Sequence, residues 1–106
     1  MMAWVVLLFA GLLEIVWAYF MKLSEGFTKL IPTVLTLFFV LLSFFLLSYA
    51  MKTLPLGTAY TIWAGIGVVG SFVVGVLVLG ESASPIRIIA ALLIVTGLIL
   101  MKVSTD

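Results

Sequence analysis

Four long apolar stretches, separated by short polar segments, constrain the fold of this chain more than any other feature of its sequence. The stretches lie at about residues 3–22, 30–51, 54–79 and 86–103. A helix of about 20 apolar residues is needed to cross the hydrocarbon core of a bilayer. The sequence therefore predicts four transmembrane helices, which form a single domain over residues 1–106 and leave no room for a soluble domain.

The composition agrees with this prediction and narrows the possible chemistry. Hydrophobic residues make up 66% of the 106 residues and charged residues 8%, which is far from the balance of soluble domains. We expect an all-α membrane protein with the lipid bilayer as its solvent. The net charge of +1 is spread along the chain and does not favour a nucleic-acid partner. With no cysteine and no histidine, the sequence predicts neither an enzyme nor a bound metal or cofactor.

Glu14 is a single carboxylate inside the otherwise uncharged first stretch. A charge at this depth costs about 2.5–3.5 kcal/mol on insertion scales, so it persists where a proton, a cation or a wet cavity offsets that cost. We interpret Glu14 as a proton or cation site. The alternative is a carboxyl group that only joins helices through hydrogen bonds. Helical spacing places Gly11 and Trp17 on the same face, where Gly11 leaves space beside Glu14 and Trp17 bounds it.

Three further polar or aromatic side chains are candidates for the same site. Ser43 is near the middle of the second stretch, and Tyr60 and Trp63 share a face of the third. All three offer hydrogen-bond donors. Tyr60 and Trp63 also suit an interfacial aromatic belt, but Trp63 lies deeper than belt residues do, so we predict that it lines the site.

Small residues in the third and fourth stretches indicate a bend and close helix packing. Gly65 and Gly67 predict a hinge in the third helix, although close packing is the alternative for both. On the fourth helix, Ala90, Leu93 and Gly97 share a smooth face, which we interpret as a seam for a second copy of the chain.

The basic residues are balanced between the two ends of the helices. Loops one and three carry Lys22, Lys29 and Arg87, while the opposite side carries Lys52, Lys102 and the terminal amine. Because lysine and arginine bias normally sets orientation, a balanced chain can insert either way. Two copies in opposite orientations would form an inverted repeat between chains, as larger transporters do within one. The alternative is that such short loops give an uninformative count.

A longer set of residues resembles the small multidrug resistance family of proton-coupled exporters over essentially the whole chain. The resemblance rests on Gly11 and Glu14, Gly26-Phe27-Thr28, Ser43-Phe44 and the segment Pro55-x-Gly57-x-Ala59-Tyr60-x-Ile62-Trp63-x-Gly65-x-Gly67. It implies an antiparallel, dual-topology homodimer in the bacterial inner membrane. It also implies that the Glu14 side chains of both copies share one central site, which Tyr60 and Trp63 line.

Within this family the chain is most similar to the guanidinium-exporter branch. Trp17 is the decisive position, because the multidrug branch usually has a small residue there; Lys102 matches the same branch. The resemblance implies antiport of protons against guanidinium and small guanidinyl compounds. We expect Ser43 and Trp63 to orient the Glu14 carboxylates by donating hydrogen bonds to them. Thr61 departs from the residue common in this branch and the first loop resembles multidrug members, so an exporter with a broader substrate range that includes quaternary ammonium cations is one alternative. A non-transporting accessory subunit is the other alternative.

Overall fold

The computed structural model describes residues 2–105, over which the chain folds into four helices. They are α1 (Met2–Leu23), α2 (Leu30–Ala50), α3 (Leu56–Leu77) and α4 (Pro85–Thr105). Each is long and apolar enough to cross a membrane, which confirms the predicted all-α membrane fold. Met1 and Asp106, at the ends of the predicted domain, lie outside the described residues, as does the terminal amine counted above.

The third helix is shorter at both ends than the predicted span 54–79. Leu54 still belongs to the turn that closes α2, because its backbone N–H donates to the carbonyl of Ala50 at 3.0 Å. Pro55 is extended and precedes the first helical residue. At the other end, the N–H of Leu79 donates to the carbonyl of Val74 at 3.3 Å, in a turn wider than that of an α-helix.

The packing of the helices places α1 at the centre of the protomer. α1 contacts both α2 and α3, whereas α4, as far as the described residues show, packs mainly against α3 and reaches α1 through Lys102, whose Nζ lies 4.6 Å from the centre of the Trp4 ring. The buried apolar core lies where α1, α2 and α3 meet and comprises Leu7, Ala10, Leu47, Ala50, Ala59, Ile62 and Trp63. Most other apolar side chains face outward, as expected of a protein whose solvent is lipid.

Loop one holds the exposed carboxylate that contrasts with Glu14. Glu25, Gly26 and Phe27 all have positive φ, and the loop is closed by the buried Ser24, whose hydroxyl donates to the carbonyl of Met21 at 2.6 Å. The Glu25 carboxylate pairs with Lys29 at 2.8 Å. The hydrogen bond and the charge of Lys29 both lower the pKa of Glu25.

Candidate functional site

Glu14 lies near the middle of α1, half-buried, on the side that faces α3. At 1.5 Å per residue it is about 18 Å from the first residue of the helix and about 14 Å from the last. Gly67 of α3 lies directly against its carboxyl group, and a Cβ atom at this glycine would overlap the carboxyl atoms. The missing side chain of Gly67 therefore makes the room that Glu14 occupies.

Two buried polar atoms near this position have no hydrogen-bond partner among residues 2–105. They are Oε1 of Glu14, an acceptor, and Nε1 of Trp17, a donor. Buried polar groups are nearly always paired, because an unpaired one forfeits about 1–3 kcal/mol of solvation. Trp17 lies one helical turn after Glu14, as the sequence predicted. The protomer thus carries an unsatisfied acceptor and an unsatisfied donor on adjacent turns of α1.

Ser43 and Trp63 form a hydrogen-bonded relay across three helices. Nε1 of Trp63 in α3 donates to Oγ of Ser43 in α2 at 3.0 Å, and this hydroxyl donates to the carbonyl of Ala10 in α1 at 2.8 Å. Within the protomer the expected hydrogen bonds from Ser43 and Trp63 to Glu14 are therefore not formed. The relay ends one helical turn before Glu14, at the carbonyl that accepts its backbone N–H in a regular α-helix.

Tyr60 and Trp63 form an aromatic pair with unequal exposure. Their ring centroids are 5.3 Å apart, and Phe44 packs edge-on against Trp63 at 5.6 Å. Trp63 is only 6% exposed, because α1 and α2 cover it, whereas Tyr60 is 53% exposed. Trp63 is thus a buried residue of the helix core rather than a member of an interfacial belt.

Gly11 differs from its sequence-based interpretation. The sequence predicts open space beside Glu14, but the structure packs Ile66 of α3 against this glycine. A Cβ atom at Gly11 would lie 2.8 Å from the Cβ of Ile66, which is closer than side chains approach each other. Gly11 therefore brings α1 and α3 together, and the room for the carboxyl group comes from Gly67.

The predicted hinge lies in an unbroken stretch of helix. α3 continues through Gly65 and Gly67, and both glycines face close neighbours: Leu98 of α4 packs on Gly65, and Glu14 packs on Gly67. Close packing, the alternative raised for this pair, accounts for both positions in the structure. The hinge remains a prediction about movement.

The predicted seam on α4 is exposed in the protomer. Ala90, Leu93 and Gly97 all face outward, and among the described residues no side chain or neighbouring helix lies within 4 Å of the position that a Cβ atom would take at Gly97. This helix has no buried residue within its apolar span. A long apolar surface with a smooth strip is therefore available to lipid or to another helix.

Two contacts of the site were missed in the sequence. The Ala10 carbonyl, which accepts the end of the relay, is a backbone group at an ordinary apolar position and gives no signal. The packing of Gly67 on Glu14 had a partial signal, because Gly67, Ser71 and Gly75 recur every four residues and so share one face.

In residues 2–105 no three acidic side chains come together to form a metal site.

Comparisons with known proteins agree on one family. Residues 2–94 match the family described as Small Multidrug Resistance protein. A guanidinium exporter of Citrobacter freundii and one of Salmonella typhimurium are each 54% identical over 104 residues, covering 98% of this chain and 99% of the relative. A guanidinium exporter of Escherichia coli is 50% identical with the same coverage.

These matches extend over nearly the full length of both chains, so the shared family covers the whole domain rather than one motif. Together with four apolar helices, relatives from enterobacteria indicate a multi-pass protein of a bacterial inner membrane. Because the family match covers most of the chain and the relatives are 50–54% identical to it, the chain belongs to the Small Multidrug Resistance family of transporters.

Proposed function

We propose that this protein is a proton-coupled antiporter that exports guanidinium ion and small guanidinyl compounds. Relatives that cover nearly the whole chain are named guanidinium exporters. The observation that carries the proposal is the buried Oε1 atom of Glu14, which has no hydrogen-bond partner. An unsatisfied carboxylate acceptor in the middle of a membrane helix suits a cation composed of N–H donors.

Competition for this carboxylate is the basis of the proposed coupling. A planar guanidinium group presents two parallel N–H bonds to the two oxygens of a carboxylate, an arrangement that gives both strength and geometric selectivity. A proton on the carboxyl group removes the negative charge that this pairing needs. Because the two ligands exclude each other, inward movement of protons drives outward movement of the cation.

The proposed working unit is an antiparallel homodimer in which two Glu14 side chains share one site. The exposed apolar face of α4, with Ala90, Leu93 and Gly97, supports a seam between copies. The equal count of basic residues at the two faces supports insertion in both orientations. In such a dimer Ser43 and Trp63 of the relay hold α1, and hence Glu14, in position.

Alternating access in the proposed dimer follows from movement of one copy against the other around the shared carboxylates. The glycine pair Gly65 and Gly67 is the proposed hinge. Both glycines allow α3 to lie close to its neighbours without interlocking side chains. Small changes of angle there would shift the contact between Gly67 and Glu14, and so open the site toward one side at a time.

Trp17 and Tyr60 are the proposed determinants of substrate size. Trp17 places its half-buried indole next to Glu14, which limits the space for bulky substituents, and its buried Nε1 offers an unsatisfied N–H group. A small planar cation fits this arrangement better than a branched quaternary ammonium ion. The second candidate function is broader export of quaternary ammonium cations, which the half-exposed Tyr60 favours because its ring face is available for cation–π contact.

Transport in this proposal involves no chemical change in the substrate. The residues assigned to the site are one carboxylate per copy together with Ser43, Tyr60 and two tryptophans, which bind and orient but supply no acid–base pair within one chain. The remaining alternative is an accessory membrane subunit in which Glu14 only stabilises helix contacts. That alternative predicts normal function when Glu14 is replaced by glutamine.

The test is proton movement in proteoliposomes under an imposed guanidinium gradient, repeated with a tetraalkylammonium gradient. Wild-type protein should move protons with guanidinium and not with the bulky cation. Glu14→Gln keeps the hydrogen-bonding groups but removes the titratable carboxylate, and it should abolish coupled flux.

The matched control is Glu25→Gln, which removes the exposed carboxylate of loop one and should leave the flux unchanged. Flux with the bulky cation would favour the multidrug function. Equal flux in wild type and Glu14→Gln would exclude the proposed mechanism.

A further inference from the structure

A recess of about 220 Å³ lies between the C-terminal ends of α1 and α3, one helical turn beyond Glu14. Its polar and small lining residues are Ala18, Tyr19, Lys22, Ser71, Gly75 and Glu81. Ala18 and Ser71 are half-buried, whereas Lys22 and Glu81 are exposed. The recess therefore runs from the interior of the helix bundle to the end of the membrane span, and we call it the outer recess.

Helical spacing places the outer recess on the same faces of α1 and α3 as the Glu14 site. On α1, Ala18 and Lys22 follow Glu14 at intervals of four residues, and on α3, Ser71 and Gly75 follow Gly67 at the same interval. Gly67 packs against the Glu14 carboxyl group at one end of this strip. Gly75 packs against the Glu81 carboxyl group at the other. Eight residues of helix separate the two glycines, a distance of about 12 Å.

The Glu81 carboxylate is held at the mouth of the recess by its backbone. Its N–H donates to the carbonyl of Gly75 at 2.9 Å, and Gly80, with a φ of +73°, turns the chain back toward α3. A Cβ atom at Gly75 would collide with the Glu81 carboxyl group. The side chain is therefore positioned by a glycine on the strip, as Glu14 is.

Two basic side chains lie near Glu81: Arg87 is engaged by other groups, and Lys22 lines the outer recess. Arg87 donates from Nη1 to the carbonyl of Ser82 at 2.6 Å, and its guanidinium stacks on Phe72 at 5.0 Å. Lys22 lines the outer recess itself, but within the described residues no ion pair joins it to Glu81. The Glu81 carboxylate thus faces the recess without a direct ion-pair partner.

We propose that Glu81 is an outer binding residue for the transported cation, at the mouth of a passage that leads to Glu14. This inference rests on the proposed function, because it assumes that a cation travels between Glu14 and water. Glu81 raises the local concentration of cations, and Lys22 across the recess limits how tightly they are held. In an antiparallel dimer, the same mouth is present at each face of the membrane, contributed by a different copy.

The first test is the guanidinium dependence of transport in proteoliposomes. Glu81→Gln should raise KM about fivefold at low ionic strength with little change in the maximal rate, because the exposed carboxylate attracts the cation but does not exchange it. The increase should shrink at high salt. Lys22→Gln should move KM in the opposite direction, downward by about twofold.

Glu25→Gln is the matched control, because it removes a carboxylate at the same membrane face that does not line the outer recess. Its KM should equal that of the wild type. An unchanged KM in Glu81→Gln, or an equal increase in Glu25→Gln, would overturn the proposal.

A second test separates the outer residue from the central site. In a Glu14→Gln background, titration with guanidinium chloride should shift the backbone NMR signals of Glu81 and Gly75, and sodium chloride at equal ionic strength should not. The shifts should vanish in Glu14→Gln/Glu81→Gln. Absence of shifts in the single variant would overturn the role of Glu81, whereas absence of guanidinium flux in the wild type would overturn the proposed function instead.

Discussion

Gly67 contacts the Glu14 carboxyl group from the opposite helix, and its lack of a side chain determines how closely α1 and α3 approach at the site. A methyl group there must displace either the carboxylate or the helix. Insertion of a methylene into packed surroundings costs about 1–3 kcal/mol. The added methyl group would displace the Glu14 carboxylate, for which proton and cation are proposed to compete. Transport should therefore be impaired more than folding.

We therefore expect Gly67→Ala to lower guanidinium-coupled flux at least about tenfold, since 1.4 kcal/mol corresponds to a factor of ten. The measurement is flux per inserted protein in proteoliposomes. Gly57→Ala is the control, because in residues 2–105 no side chain or neighbouring helix lies within 4 Å of the position that its Cβ would take. Wild-type flux in Gly67→Ala would mean that the close contact is not needed for transport.

At the scale of helices, α4 is distinct because it packs mainly on α3 and leaves a smooth apolar face exposed. Gly97 lies on this face, where no other described side chain or helix comes within 4 Å of the position of its missing Cβ atom. Where two helices pack through small residues, a large side chain forces their backbones apart. The proposed seam is therefore sensitive to bulk at this position.

We expect Gly97→Leu to shift the protein from dimer to monomer, measured by its mass in detergent. Thr96→Leu introduces the same side chain one residue earlier, about 100° around the helix, and should remain dimeric. If both variants stay dimeric, the seam lies on another face of α4.

The helices themselves could be predicted from the sequence, because uncharged stretches of bilayer length leave few alternatives. All four appear, although α3 is shorter because Leu54 joins the preceding turn. Glu14 and its neighbour Trp17 stand out for the same reason: polar groups inside an apolar helix are rare. What the sequence could not provide is pairing across helices. Ser43 is visible as a polar residue, but its choice of the Ala10 carbonyl over Glu14 depends on how α1 and α2 are rotated.

At the scale of the whole molecule, the even distribution of basic residues is the feature that an antiparallel dimer requires. Loops one and three contribute three basic residues to one side, and Lys52 and Lys102 lie on the other, so the count is nearly even. A single added charge breaks this balance. The orientation of short-looped membrane proteins responds to such changes near the helix ends.

We expect Ala83→Arg, in loop three, and Thr53→Arg, in loop two, to insert in opposite single orientations, each without transport activity alone. Co-expression should restore guanidinium resistance in cells, because the two variants together supply both orientations. A chain carrying both changes has a balanced count again and should be active by itself. Full activity of either single variant alone would argue against an antiparallel working dimer.

In the Trp63–Ser43–Ala10 relay, the Ser43 hydroxyl uses most of its capacity to form hydrogen bonds. A serine hydroxyl can donate one hydrogen bond and accept two through its lone pairs. Ser43 donates its hydrogen to the carbonyl of Ala10, and one of its lone pairs accepts the indole N–H of Trp63. The remaining lone pair can only accept, so in this arrangement the Ser43 hydroxyl cannot also donate to a carboxylate. Because Ser43 is fully buried, an N–H donor such as guanidinium reaches this lone pair only when the helices move apart, and an ammonium ion fully substituted with carbon has no hydrogen to donate to it.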